Sequence, residues 1–237
     1  MRNHQIAIQG GVDNLGDVLH LLVDTSTWLD LAKRRDGPRW IEAIRALVRQ
    51  QELRLLVPEL VVDEFERNRD RVVTSMTTSV AQRFKLMKQD VGDYGGRNYE
   101  QAQSVIDGLA HEIPLIGAMT TQNFTNVLDL LSNGVRLDPT NADRSKVVRR
   151  ALDKKAPFHR SKNSVADALL IEMYASAVAH ADLTEDPHAF VTTNSADFSL
   201  PAGDQREPHP DLADLFAHDS SVYGLGVDVL RQRSCRT

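Results

Sequence analysis

Residues 21–26 read Leu21-Leu22-Val23-Asp24-Thr25-Ser26. The apolar run from His20 to Val23 halts at an acid, as a short buried strand does when it leaves a sheet. Two other stretches share this form. Leu53 to Val57 stops at Pro58, and Ala189 to Thr193 ends in the turn-forming Asn194-Ser195. Helical spacing fills the chain between and after them. Trp40, Ile41, Ile44, Leu47 and Val48 form one apolar stripe, and Val165, Leu169 and Met173, with Ala168 and Ala175, form another. Strands alternating with helices predict an α/β fold, a central parallel sheet covered by helices on both faces.

Between about residues 70 and 158 the alternation lapses. Val72, Val73, Met76, Val80, Phe84 and Met87 predict a long helix. Ala102 to Leu109 predicts a second, stopped near Pro114, and Phe124 to Leu131 a third, ended by Asn133-Gly134. This region is expected to be a helical insertion within a single domain spanning residues 1–237. Pro201 to Pro210 is expected to be a surface loop.

With 237 residues, 41% of them hydrophobic and 26% charged, the chain can bury a sizeable core. Its net charge of −5 excludes a general polycation, so any nucleic acid must be met through a local basic patch. Cys235 is the single cysteine, which excludes an intrachain disulfide or a cysteine-based metal site. No signal-peptide pattern and no membrane-length apolar run is present, and a reducing cytoplasm is the expected compartment.

Four acids stand at the edges of apolar runs: Asp24, Glu64, Asp167 and Asp197. Each has a plain structural explanation. Asp24 suits a helix N-cap. Glu64 could pair with Arg67, Asp167 could close a capping box with Ser164, and Asp197 could serve a turn. Their positions argue for more. Ligands of open α/β sheets gather outside the carboxyl ends of the strands. Asp24 follows one strand directly, Asp197 lies just beyond another, and Glu64 rides the helix after a third. Glu64 lies three and four residues after Val61 and Leu60, near the inward stripe, whereas Asp63 points roughly 100° away around the helix. Asp167 falls in the first turn of an apolar helix facing the same rim. Gathered carboxylates without cations repel one another unless a hard divalent ion joins them, and such a site suits phosphodiester hydrolysis.

The motifs resemble those of PIN-domain nucleases, over roughly residues 18–72 and 158–200. Val23-Asp24-Thr25-Ser26 matches the opening strand, and Pro58 with Glu64 the second element. Ala166-Asp167-Ala168-Leu169-Leu170 matches the third acid, and Thr192-Thr193-Asn194-Ser195-Ala196-Asp197-Phe198 the last motif. The long stretch between Glu64 and Asp167 is similar to that of the larger bacterial PIN-like proteins rather than the small toxin members. The resemblance implies a Rossmann-like three-layer fold and a metal-dependent endoribonuclease. Asp24, Glu64, Asp167 and Asp197 would then be catalytic ligands of one or two Mg²⁺ or Mn²⁺ ions. RNA is favoured over DNA as the partner. An antitoxin, another protein or a second copy of the chain are further candidate partners, and a membrane is not.

Arg144 to Lys162 supplies a basic run with Asp153 as its only acid. Lys162, Arg160, Lys154 and Lys155 are its candidate phosphate contacts, with Arg67 as a second choice and Asn194 as a holder of water or a phosphate oxygen. A solvated helix face is the alternative for the run, and a turn-forming role is the alternative for Asn194. An aspartyl-nucleophile phosphatase would need a second Asp where Ser26 stands. The eight scattered histidines suggest no His-based hydrolase. A PIN-like module that binds nucleic acid or regulates without turnover is the main alternative function.

Overall fold

In the computed structural model, residues 18–160, 164–183 and 186–227 are described. Their strands are β1 (Leu19–Val23), β2 (Leu53–Pro58), β3 (Val135–Leu137), β4 (His188–Thr192) and β5 (Ser221–Leu225). They pair in parallel in the order β3-β2-β1-β4-β5. Every residue of β1 and of β4 is buried. That is the signature of strands covered on both faces, and it explains why these two read as unbroken apolar runs.

Helices α1 (Thr25–Lys33), α2 (Gly37–Arg49), α3 (Glu59–Tyr94), α4 (Tyr99–Ala110) and α5 (Ile113–Ser132) fall between β1 and β3. Of these, α1, α2, α3 and α5 pack on one another. α6 (Asn141–Leu152) and α7 (Val165–Ala179) connect β3 to β4, and α8 (Ser195–Phe198) follows β4. Going from β1 to β2 to β3 moves one way across the sheet, and from β4 to β5 the other. Right-handed crossovers therefore place the two helix groups on opposite faces, with the reversal between β1 and β4.

The helix carrying Glu64 and the long helix expected from Val72 onward are one element, α3, of 36 residues. At 1.5 Å per residue it is about 54 Å long, far longer than the strands. Its buried residues, Val61, Phe65 and Val72, all lie in the first half. Phe65 stacks on Phe124 of α5, ring centroids 4.6 Å apart, which ties this half to the core. The helical stretch also holds β3, whose residues pair with Leu56, Val57 and Pro58. Gly134 leads into β3 where a Cβ would collide with the Val57 side chain.

α7 differs from its expected stripe. Val165 is 52% exposed, while Ala168, Leu170, Ile171 and Tyr174 are buried. Tyr174 packs on Phe190 of β4 and on Phe216, in the 3₁₀ turn Pro210–Phe216. The helix is apolar nearly all round, so spacing alone gave no unique inward face.

Candidate metal centre at the carboxyl rim of the sheet

Asp24 is the first residue beyond β1. Its amide donates to Val191 O at 2.8 Å, so the chain is still pinned to β4 as it turns into α1. Its backbone has N-cap dihedrals, yet its side chain makes no capping hydrogen bond. Instead Oδ2 accepts from Ser26 Oγ at 2.5 Å and from Thr192 Oγ1 at 2.8 Å. The residue is only 4% exposed. Burial pushes its pKa up from the ordinary 3.8, the hydroxyls of Ser26 and Thr192 oppose this, and the Glu64 carboxylate raises it again. No lysine or arginine is among these leading influences.

The end of β4 continues the network. Thr192 Oγ1 accepts the Asn194 amide at 2.9 Å, and Asn194 Nδ2 donates to Asp197 Oδ2 at 2.7 Å. Asp197, in α8, is fully buried. A run of hydrogen bonds thus links Asp24 to Asp197 across two neighbouring strand ends. The Asn194 side chain, considered from sequence as a contact for water or phosphate, is directed at Asp197.

Pro58 ends β2 and occupies the N-cap position of α3. Val61 and Phe65 anchor the first turns in the core, which leaves Glu64 half-buried beside them and Asp63 exposed. Glu64 is close enough to perturb Asp24. Asp167 lies half-buried in the first turn of α7. Seven residues later, Tyr174 packs edge-on against His188 and its hydroxyl contacts Ser221 Oγ at 3.2 Å, at the beginnings of β4 and β5. The helix therefore runs against the strands, which places Asp167, about 10 Å earlier along the axis, nearer their carboxyl ends. The capping-box alternative fails, because Ser164 makes no capping bond and its buried hydroxyl has no hydrogen-bond partner. Among the described residues, no three His, Cys, Asp or Glu side chains stand together as a closed metal-ligand group.

The basic run divides into different environments. Arg150 is paired within the fold. Its guanidinium binds Glu172 of α7 at 2.6 Å and Ala156 O at 2.8 Å, with Glu172 largely buried. Lys154, Lys155 and Arg160 are exposed. Arg67 is also exposed and donates to Asp63 O at 3.2 Å. Lys162 and Cys235 lie outside the described residues. Buried His20 and His188 stack 4.7 Å apart near the beginnings of β1 and β4, at the rim away from the acids.

Sequence reading missed two hydroxyls, Ser26 and Thr192. Their signal was the pairing of two strand ends, each carrying small hydroxyl residues beside an acid: Asp24-Thr25-Ser26 and Thr192-Thr193-Asn194.

A parallel sheet of order β3-β2-β1-β4-β5, with buried Asp24 and Asp197 just beyond the neighbouring strands β1 and β4, defines a Rossmann-like α/β protein. The family described as PIN domain matches residues 21–198, three quarters of the sequence, and the chain belongs to that family. PIN domains are generally nucleases that use divalent metals. No curated protein and no solved structure gives a match. No helix among the described residues is long and apolar enough to cross a membrane.

Proposed function

We propose that the chain is a divalent-metal-dependent endonuclease that hydrolyses phosphodiester bonds, with RNA favoured over DNA. The observation that carries this reading is the buried Asp24 carboxylate, perturbed by Glu64 with no cation among the leading influences. A carboxylate kept from water against a second carboxylate is costly unless something positive joins it. The candidate ligands are all oxygen donors, which suits Mg²⁺ or Mn²⁺ and leaves room for several waters. The family supports the same chemistry.

Asp24 and Asp197 would hold the ion from the ends of β1 and β4, and Glu64 and Asp167 from α3 and α7. When bound, the ion supplies a hydroxide nucleophile and offsets charge on the scissile phosphate. Ser26, Thr192 and Asn194 hold the two aspartates in place by the hydrogen bonds described above. Lys154, Lys155 and Arg160 would grip flanking phosphates, and Lys162, five residues before Asp167, the phosphate nearest the acids.

Cleavage of labelled RNA and DNA, each single- and double-stranded, in Mg²⁺, Mn²⁺ or chelator tests the proposal. Internal cuts in RNA that require the metal are expected. Binding without metal-dependent cleavage of any substrate would leave a PIN-like binding or regulatory module instead.

A further inference from the structure

We propose that the outer face of α3 is a phosphate-binding track, along which an RNA strand leaves the candidate metal centre. The proposal rests on the nuclease reading above and adds a contact surface separate from the basic run Arg144 to Lys162.

Successive residues of a helix are turned by about 100°. Arg67, Arg71, Ser75, Thr78, Gln82 and Lys85 therefore all lie within about 60° of Glu64 around the α3 axis. They form one row that starts at the proposed ligand and runs outward. All six are exposed, and Glu64 at the head of the row is half-buried. The other sides of the helix are occupied. Val61, Phe65 and Val72 are buried in the core. Thr77 lies against α5, where a Cβ added to Gly117 would come to 3.0 Å from its methyl group. Lys88 pairs with Asp107 of α4. α4 and α5 thus cover the far side of α3 and leave this row to solvent. An open depression runs along its middle, lined by Asp70, Arg71, Thr74, Ser75, Thr78 and Ser79.

The chemistry of the row is that of a phosphate surface. From Arg71 to Gln89 the helix carries no acid, on a chain of net charge −5. Asp70, the acid just before, is turned about 120° from Glu64. Arg67 donates to Asp63 O at 3.2 Å, and Arg71 Nε donates to Asn68 Oδ1 at 3.1 Å. Both acceptors are neutral, so both charges remain available. Among the described residues, neither arginine nor Lys85 forms an ion pair. The hydroxyls and the Gln82 amide between them are further donors for phosphate oxygens. No aromatic side chain stands in the row, so the backbone is gripped and the bases are not stacked. Lys85 is about 31 Å from Glu64 along the axis, a span of roughly nine nucleotides at about 3.4 Å each.

A merely solvated helix face would make the position of a charge around α3 irrelevant to RNA. Two double variants with the same change of charge on the same helix separate these cases. Arg71→Glu with Lys85→Glu lies in the row. Arg69→Glu with Arg83→Glu lies outside it, about 140° and 100° round from Glu64. Binding is read by fluorescence anisotropy over a salt series, with two labelled single-stranded RNAs of unrelated sequence, each roughly 20 nucleotides long and so able to overrun the row. Chelator is present, so nothing is cut, and folding is checked by circular dichroism. The variant in the row is expected to bind both RNAs about tenfold or more weakly, with a dependence on log salt shallower by about 1.4. The variant outside it is expected to stay within about threefold of wild type. Wild-type affinity in the first variant overturns the proposal, as do equal losses in both variants or a wild type that binds neither RNA. If either double variant does not fold, Lys85→Glu is read against Arg83→Glu with the same outcomes. A wild type that binds RNA through this row yet cuts nothing in Mg²⁺ or Mn²⁺ would sink the nuclease reading, a result distinct from all of these.

Discussion

Asp24→Asn should make the metal-free protein more stable while abolishing metal-dependent cleavage. Burial and Glu64 raise the Asp24 pKa above its ordinary 3.8, so the folded chain holds a proton there more tightly than the unfolded chain does. The resulting stabilisation is fully present below about 3.8 and is lost as pH rises through the raised folded value. Above that raised value the metal-free protein carries a charge that its surroundings disfavour. Asparagine keeps the shape and an oxygen to accept from Ser26 and Thr192. Two charge-assisted hydrogen bonds, each worth about 1.5–3 kcal/mol, become neutral ones worth about 1 kcal/mol. Against that loss stands relief from an unpaired buried charge, whose penalty is several kcal/mol. Because burial and the Glu64 carboxylate both disfavour the charged form, the balance favours asparagine. A gain of about 1 kcal/mol would lift the Tm by roughly 2–4 °C in a chain of this size. Thermal unfolding in chelator reads this directly. Repeating it with Mn²⁺ at a hundred times its Kd should stabilise wild type by about 2.7 kcal/mol and leave Asp24→Asn nearly unmoved. A variant that melts below wild type in chelator, or that gains as much from Mn²⁺, would refute the reasoning.

Other substitutions probe the surroundings. Charge reversal at exposed Lys154 and Lys155 should weaken single-stranded RNA binding and flatten its dependence on log salt by about 1.4, measured by fluorescence anisotropy over a salt series. Glu172→Ala strips Arg150 of its partner and should cost about 3 kcal/mol in denaturant unfolding, with that salt slope unchanged because Arg150 faces α7. Lys162→Ala should lower cleavage about tenfold, near 1.4 kcal/mol, with little change in Tm. A loss of stability instead would assign Lys162 to the fold.

The parts of the fold legible in sequence were those whose signal is local. β1, β2 and β4 are apolar runs that end at Asp24, Pro58 and Asn194, and each acid could be placed by its distance from such an end. β3 escaped notice because it has only three residues, two of them exposed, and is held by pairing with β2 rather than by its own hydrophobicity. β5, Ser221–Leu225, has a partly buried pattern interrupted by Gly224 and lies next to β4 only once the chain has folded. The bond from Thr192 to Asp24 spans 168 positions, and periodicity does not report cross-strand hydroxyls. The pairing of Arg150, within the basic run from Arg144 to Lys162, was hidden for a related reason. Charge counted along the chain registers a basic run, whereas the neutralising Glu172 arrives from the next helix.

In the reading proposed above, Asp24, Glu64, Asp167 and Asp197 surround one divalent-ion site at the carboxyl rim of the sheet. Diffraction data collected at the manganese absorption edge, from crystals equilibrated with Mn²⁺, test it most directly. Anomalous density is expected at the ends of β1 and β4, in contact with Asp24 and Asp197 directly or through water, with Glu64 and Asp167 around it. A saturated crystal with no manganese at that rim, or with manganese bound only elsewhere on the molecule, would contradict it.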